Sequence, residues 1–417
     1  MSRIMVAALL WAAGAVGAAG RASAQDEPRR VSLDEALALF GRHNLELRIA
    51  RAEAAGAAAR ARQAAAYPNP VAGVTHETLS GDGRGYDETY LTLAQEIRWP
   101  WENAARGRAA EAARQVAAHR AAADSLRLAF EMKAAFIEAA GAESLREGLE
   151  RATNLVREAL EDATRRAAEG DLSGYALRRL RVERARYEAD LSAAAMALRA
   201  ARRRLGALLL PDSALEIAPT GLPAADPPDP GAAAPSPANP VPALAAAGAA
   251  LDAARADEQA VRRGRLPAPT AIGGYKTQSD GLTGAFLGLS LPLPLFDRRG
   301  AAASEAAAAS ARAEAHLALV RRQAENDIRL AYEAHRAARE RARLFAGELL
   351  AEPEALLGVA RVAYAEGEMT LVELLDAVDA YRAARVTTVQ ARRDLWNTFF
   401  DLERAAGGLP PGQGGNR

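Results

Sequence analysis

The chain has 417 residues, with 53 basic and 53 acidic side chains and no cysteine. This charge balance argues against nucleic acid as a partner, because the chain has no excess of basic residues. The lack of cysteine excludes disulfides, thiolate metal sites and thiol nucleophiles. Aromatic residues make up only 5% of the chain, which favours long helices with narrow apolar seams over one large globular core.

The first residues have the pattern of an export signal. Arg3 precedes an apolar stretch at residues 4–20, and "ASA" at residues 22–24 is a small-x-small cleavage site. We therefore expect residues 1–24 to be a signal peptide, in preference to a single membrane anchor, because the stretch is short. No later stretch approaches the ~20 apolar residues of a membrane helix.

Two parts of the chain follow the same order of elements, which predicts an internal two-fold repeat. Each begins with a helix, continues with two strands around a glycine-rich turn, and ends in a long helical hairpin. The hairpins turn at Gly170 and Gly367, each after an alanine and a glutamate. The predicted parts are a first repeat at 25–210 with a β-hairpin at 71–99, a proline-rich equatorial linker at 211–240, a second repeat at 241–406 with a β-hairpin at 270–293, and a flexible tail at 407–417.

The helices beside each glycine turn carry the seams of coiled coils. After Gly170, apolar residues recur every three or four positions with one break at Arg184, a spacing that predicts a left-handed supercoil. After Gly367 two apolar stripes overlap, which indicates two helical neighbours. A helix of about 65 residues before each turn would be roughly 100 Å long. We expect both glycines to be left-handed, with Ser173 and Thr370 capping the return helices.

Four segments of about ten residues resemble strands, and in the second strand of each hairpin apolar side chains alternate with polar or small ones. A soluble sheet packed on a core would give the same alternation. About ten residues also cross a bilayer at a tilt, but four strands are too few to close a membrane barrel. Since an open edge in lipid leaves hydrogen bonds unsatisfied, we expect several chains to close one barrel. The residues expected to face lipid are Leu91, Leu93, Ile97, Leu287, Leu289 and Leu291.

The sequence resembles the TolC family of outer membrane efflux ducts over nearly the whole mature chain. The resemblance is carried by "SLDEALALFGRHNLELRIARAE" at 32–53, "YPNP" at 67–70, Pro100 and Pro294 after the strands, and "YAEGEMTLVELLDA" at 364–377. It implies an α+β membrane protein, in which a trimer completes a 12-stranded β-barrel above a long antiparallel α-helical coiled-coil barrel. The last segment is most similar to the heavy-metal and cation efflux branch.

The resemblance also implies a function and its partners. The protein would be a passive exit duct of a tripartite efflux or type I secretion system, in the outer membrane of a Gram-negative bacterium. It would contact outer membrane lipid, a periplasmic adaptor and an inner-membrane pump, of which the RND type is the expected kind. The helical tips implied to meet the adaptor are Gly170, Asp171, Leu172, Ser173, Gly367, Glu368, Met369 and Thr370.

In this family, polar links between inner helices near the tip hold the duct closed. Tyr364, Glu373 and Asp376 match positions of that motif. Met369 stands where the best-known member has an arginine, and Ala176 stands where the first turn would offer an acidic partner. The resemblance therefore implies a different link here, with Arg178 or Arg179 as its basic partner. Solvated ends of a helical hairpin would carry the same residues.

Motifs of catalysis and cofactor binding are missing from the sequence. There is no histidine pair at metal-ligand spacing, no nucleophile elbow and no phosphate loop, so we expect neither an enzyme nor a cofactor. The acidic residues around Gly367 spread over several helix faces, and an acidic ring at a pore mouth is a better interpretation than a metal site. The alternative function is a periplasmic coiled-coil adaptor or scaffold without a pore. The substrate stays open among metal ions, drugs and secreted peptides.

Overall fold

The computed structural model describes residues 28–81, 84–211, 216–228, 241–345 and 348–408. The signal peptide predicted at residues 1–24 lies outside the described residues. So do residues 229–240 of the predicted linker and residues 409–417 of the predicted tail.

The first half of the chain leads into one very long helix. In order, its elements are β1 (Arg29–Val31), α1 (Leu33–His43), α2 (Leu45–Ala65), β2 (Val71–Gly81), β3 (Arg84–Glu96), α3 (Pro100–Glu169), α4 (Gly174–Leu209) and β4 (Ile217–Pro219). Pro100 stands in the first turn of α3, where a proline costs no hydrogen bond. The 70 residues of α3 extend for roughly 100 Å.

The second half repeats this order of helices and strands, with its long helix described in two pieces. Its elements are α5 (Pro242–Arg263), β5 (Thr270–Gln278), β6 (Thr283–Ser290), α6 (Gly300–Phe345), α7 (Glu348–Ala365) and α8 (Leu371–Ala405). Among the described residues, no helix combines the length and apolarity needed to span a bilayer.

The helices form two layers that share α3, and α6 extends into the second layer, where it packs against α8. Next to the strands, the order of neighbours is α2, α3, α5, α6; toward the helical turns it is α4, α3, α8, α7. Apolar seams hold these layers together, and the buried clusters are correspondingly long and thin. One cluster, around Phe136, Leu205 and Phe400, lies between the layers. Another, around Tyr187, Leu374 and Tyr381, fills the layer near the turns.

The proline-rich segment contributes to the cluster between the layers. β4 pairs in parallel with β1, and Ile217 and Ala218 are fully buried. The described part of the predicted linker is therefore packed into the fold. Sequence reasoning missed this because a three-residue strand carries too few positions to show alternation.

The other four strands form one antiparallel sheet in the order β2, β3, β5, β6. Connections of three to nine residues join each hairpin to the helices on both sides of it. The two hairpins meet where β3 pairs with β5, with Leu91 opposite Tyr275 and Glu96 opposite Thr270. Residues that are distant in sequence therefore come together at this end of the molecule.

Candidate functional site

One face of the four-stranded sheet exposes leucine side chains. The strand register places Leu91 opposite Val74 and Tyr275 on this face, and Leu93 beside Leu287 across the intervening Gly273. Leu287 is 93% exposed and Leu289 is 72% exposed. A contiguous exposed apolar face of this kind indicates contact with a membrane or with another protein rather than with water.

Two of the predicted lipid-facing residues lie just beyond the strands. β3 ends at Glu96 and β6 ends at Ser290, so Ile97 and Leu291 each follow the last residue of a strand. Both side chains are still exposed. The alternation in the sequence continues past the strand ends, which is why the pattern alone did not place these boundaries.

The opposite face of the sheet carries a charged cluster. The Glu88 carboxylate lies 2.7 Å from the Lys276 ammonium and accepts a hydrogen bond from the Gln278 amide at 2.6 Å. The Tyr90 hydroxyl donates to the other Glu88 oxygen, and Lys276 also lies over the Tyr90 ring. These polar groups bind one another on this face, whereas the exposed leucines lie on the other face. The sheet therefore has one polar face and one apolar face.

Neither edge of this sheet is paired in the described part of the chain. β2 and β6 are the outer strands, and neither has a second neighbour. All adjacent strands are antiparallel, so in a row of four the two outer strands run in opposite directions. Each edge thus presents free backbone donors and acceptors of the kind that another copy can pair with.

Aromatic side chains gather at the junction of strands and helices. Trp99 stacks on Trp101 with ring centroids 5.0 Å apart, and its indole donates to the Pro267 carbonyl. Phe296, at the corresponding junction of the second half, is fully exposed. Tryptophan and other aromatics are enriched at the boundary between lipid and water.

At the other end of the molecule, glycine ends both long helices. Gly170 has φ 90° and Gly367 has φ 81°, a left-handed conformation that glycine adopts without a Cβ clash. After Gly170, the Asp171 amide donates to the Arg166 carbonyl at 2.9 Å; after Gly367, the Glu368 amide donates to the Ala363 carbonyl at 2.8 Å. These bonds satisfy the last carbonyls of each helix, so the predicted glycine turns are confirmed.

Both predicted N-caps are also confirmed, and they differ. The Ser173 hydroxyl accepts from the Ala176 amide at 3.2 Å. Thr370 forms a complete capping box, in which the Glu373 carboxylate accepts from the Thr370 amide at 2.8 Å and from its hydroxyl at 2.7 Å. These hydrogen bonds from the Thr370 hydroxyl and amide lower the pKa of Glu373.

Arg166 joins the two turns within one protomer. Its guanidinium donates to the carbonyls of Tyr364 and Ala365 at 3.3 and 3.4 Å and lies over the Tyr364 ring. Leu172 and Met369 pack against the apolar cluster beneath. The glycines and the polar residues of both turns remain exposed.

The residues predicted to close the tip are not brought together within one protomer. Tyr364 is buried, and burial raises the pKa of its phenol. Glu373 is occupied by its own helix cap. Asp376 and Arg178 are exposed, and neither makes an ion pair in the part of the chain that the structure describes.

A different polar cluster links α4 to α8 a few turns above the tip. The Tyr187 hydroxyl donates to Asp379 at 2.9 Å, and Arg382 bridges Asp379 at 3.3 Å and Asp190 at 2.8 Å. Burial is the main cause of the raised pKa of Tyr187, followed by the hydrogen bond to Asp379. We call these four residues, Tyr187, Asp190, Asp379 and Arg382, the α4–α8 clasp.

Sequence reasoning missed the clasp, although one signal for it exists. Tyr187 occupies a position in a seam that otherwise consists of leucine and alanine, apart from Arg184. A buried tyrosine hydroxyl needs a partner, so a tyrosine in such a seam predicts a polar contact. Its partner lies 192 residues away, and sequence spacing gives no access to that contact.

Over the described ranges, no three or more acidic, histidine or cysteine side chains are grouped to hold a metal ion.

Comparisons with known proteins agree with this geometry. Residues 239–408 match the family model of outer membrane efflux proteins. A membrane protein from Pseudomonas aeruginosa has a TM-score of 0.77 at 20% identity, covering 91% of this chain and 91% of that chain. CusC has a TM-score of 0.76 at 18% identity, covering 91% and 93%. The outer membrane protein VceC from Vibrio cholerae has a TM-score of 0.73 at 20% identity, covering 90% and 96%.

No curated protein matches the sequence. The second half of the chain nevertheless carries the outer membrane efflux protein domain. The fold of about nine-tenths of the chain is that of these solved membrane proteins. The resemblance to the TolC family is therefore confirmed.

Proposed function

We propose that this protein is the outer membrane exit duct of a tripartite efflux system. The observation that carries the proposal is the sheet with exposed leucines at one end of a helix roughly 100 Å long. Lipid stabilises such an outward apolar face. The helices then extend far beyond a hydrocarbon core of about 30 Å, into the periplasm of a Gram-negative bacterium.

A ring of three copies completes the sheet. β2 and β6 run in opposite directions at its two edges, so β6 of one copy can pair antiparallel with β2 of the next. A closed ring leaves no backbone group unsatisfied in lipid. The TolC-family resemblance supports three copies and therefore a 12-stranded β-barrel. In that ring the Glu88–Lys276 pair faces the lumen.

The helical layer near the turns supports the same assembly. Its two edge helices, α4 and α7, have one neighbour each within the layer. α4 exposes Tyr175 and Val182, and α7 exposes Leu356, Val359 and Val362. Contact between α4 of one copy and α7 of the next would bury both sets, which favours a closed helical barrel over an isolated hairpin.

The glycine turns form the periplasmic end, where the adaptor docks. Asp171, Ser173, Glu368 and Thr370 are exposed there and are the side chains offered to it. Above them, the α4–α8 clasp ties α4 to α8, which lie on either side of α3 in the layer. Adaptor binding opens the duct by a shift in helix packing, for which energy comes from an inner-membrane pump, of the RND type. Asp376 and Arg178, exposed within one copy, are available to link neighbouring copies.

Fractionation followed by conductance measurement separates a duct from a scaffold. An integral duct stays with outer membranes after salt and carbonate washing, and the purified protein conducts ions across a planar lipid bilayer. A periplasmic adaptor or scaffold without a pore is released by the wash and leaves the bilayer insulating. That second pair of results would overturn the proposed function.

A further inference from the structure

The helical layer next to the strands curves around a groove. Both outer helices of this layer, α2 and α6, line the groove together with the two inner helices, α3 and α5. Helices at opposite edges of a layer can line one space only if the layer is concave there. In a ring of copies, the concave side of such a layer faces the lumen. The groove has a volume of about 1310 Å³, enough for a drug-sized molecule.

The wall of the groove consists mainly of alanine. Small side chains keep the space open and give it no apolar anchor for a particular ligand shape. The longer side chains in the wall are charged for the most part, and arginine is the most frequent of them. The charged wall residues are Glu53, Arg60, Arg120, Asp124 and Arg312.

The arginines of the wall are not neutralised. Within the described residues, Arg60, Arg120 and Arg312 form no ion pair and no hydrogen bond, and all three are exposed. Asp124, in contrast, already lies 3.6 Å from Arg127, which is not part of the wall. Of the unpaired wall charges, three are therefore positive and only Glu53 is negative. The space next to the strands, continuous with this groove, has a balanced wall of Glu102, Arg106, Asp257 and Arg299.

We infer that this groove makes the duct favour anionic solutes. Unpaired guanidinium groups on a concave wall concentrate anions and repel cations, because a low-dielectric wall focuses their field. Rings of arginine or lysine are the usual basis of anion preference in pores, and three copies would repeat each arginine around the lumen. The substrate class is then an organic anion, rather than a free metal cation. This inference rests on the proposed function and adds a substrate class to it.

The chain's lack of cysteine allows a local test. Ala113→Cys places a single thiol in the groove wall, on α3. The rates at which sulfonatoethyl (anionic) and trimethylammonioethyl (cationic) methanethiosulfonate modify it are measured in the full-length, detergent-extracted protein. The ratio of these rates, divided by that for a small free thiol, reports the local potential. Any change in thiol reactivity cancels, because it affects both reagents alike.

We expect the ratio to favour the anionic reagent by about tenfold at low salt. It should fall several-fold in the double variant Arg60→Gln, Arg312→Gln and also in high salt, since the field is screened. Arg321→Gln is the matched control, because Arg321 is exposed on α6 nine positions after Arg312, on the opposite side of the helix. A thiol from Ala122→Cys, exposed on the other side of α3, should not respond to the double variant.

A ratio of one or below, or one that the double variant leaves unchanged, would overturn the inference. If the ratio fails in either way but the protein still conducts ions, the proposed function remains intact. A ratio favouring anions in a protein that the carbonate wash releases would instead reject the duct and keep the electropositive groove. The two failures are therefore distinguishable.

Discussion

The two ends of the molecule bury opposite kinds of side chain. In the sheet, Leu287 and Leu289 point outward, while Glu88 is 9% exposed among polar partners. At the helical turns, Leu371 and Leu374 are buried, while the acidic and hydroxyl side chains are exposed. The two ends of the chain are therefore adapted to different surroundings. The sheet exposes apolar side chains, which lipid solvates, and the helical turns expose polar side chains, which water solvates. A water-soluble scaffold would have the second pattern at both ends.

The most severe test of this comparison places a charge on each face of the sheet. Leu287→Arg puts a guanidinium on the apolar face, where burial in the bilayer midplane costs about 2–4 kcal/mol in each copy. We expect loss of assembled protein from outer membranes, measured by native electrophoresis of washed fractions. Ser290→Arg is the control, because Ser290 lies on the polar face of the same strand. Equal tolerance of both changes would mean that the leucine face contacts water.

A second test weakens the helical end at the α4–α8 clasp. Asp379→Asn removes the charge that Tyr187 and Arg382 share, so α4 and α8 separate more readily. We expect several-fold higher single-channel conductance in a planar bilayer. Asp394→Asn, on the same helix in an exposed pair with Arg341, should leave the conductance unchanged. If both variants conduct like the wild type, the clasp does not hold the duct closed.

A third, smaller effect is expected from the glycine turns. Gly367→Ala forces a Cβ into a left-handed conformation at a cost of about 1–2 kcal/mol. We expect faster hydrogen exchange in the last turn of α7 and the first turn of α8, with no change at the sheet. Gly206→Ala, inside α4 with open space around it, should instead stabilise its helix by about 0.5–1 kcal/mol. A Gly367 variant that exchanges like the wild type would contradict the strain argument.

The smallest effect compares the two helix caps. Thr370→Ala removes a capping box and should cost about 1 kcal/mol, which accelerates exchange of the first amides of α8 about fivefold. Ser173→Ala should cost less, because Ala176 offers no returning side chain to the Ser173 amide.

The Thr370 effect should also depend on pH. The pKa of Glu373 is lowered from 4.5 in the folded state. The stability that the ionised Glu373 carboxylate adds to the folded state is therefore complete above pH 4.5 and is lost as the pH falls through the lower folded pKa. The ratio of variant to wild-type exchange rates should therefore shrink in acid for Thr370→Ala and stay constant for Ser173→Ala. A constant ratio in both would exclude a role for the Glu373 carboxylate.

Local features could be predicted from the sequence because their causes are local. A glycine between two amphipathic runs requires a left-handed turn, and Thr370 followed by Glu373 is a capping signature. Alternation likewise located the second strand of each hairpin, although it ran past the strand ends at Ile97 and Leu291.

Contacts between distant segments could not be predicted in the same way. Glu88 and Lys276 are 188 positions apart and meet only because β3 pairs with β5 in one particular register. The α4–α8 clasp depends in the same way on how α4, α3 and α8 lie in one layer. Spacing in the sequence reports faces of single elements, whereas these sites arise from the order in which elements pack.

The most direct test of the shared barrel is the native mass of the protein extracted by mild detergent from washed outer membranes. Because β2 and β6 are free edges of opposite direction and the TolC-family resemblance implies three copies, we expect one species of three protomers. A monomer, or a protein found only in the soluble periplasmic fraction, would contradict it. The exposed leucines of the sheet would then have to be buried by something other than lipid.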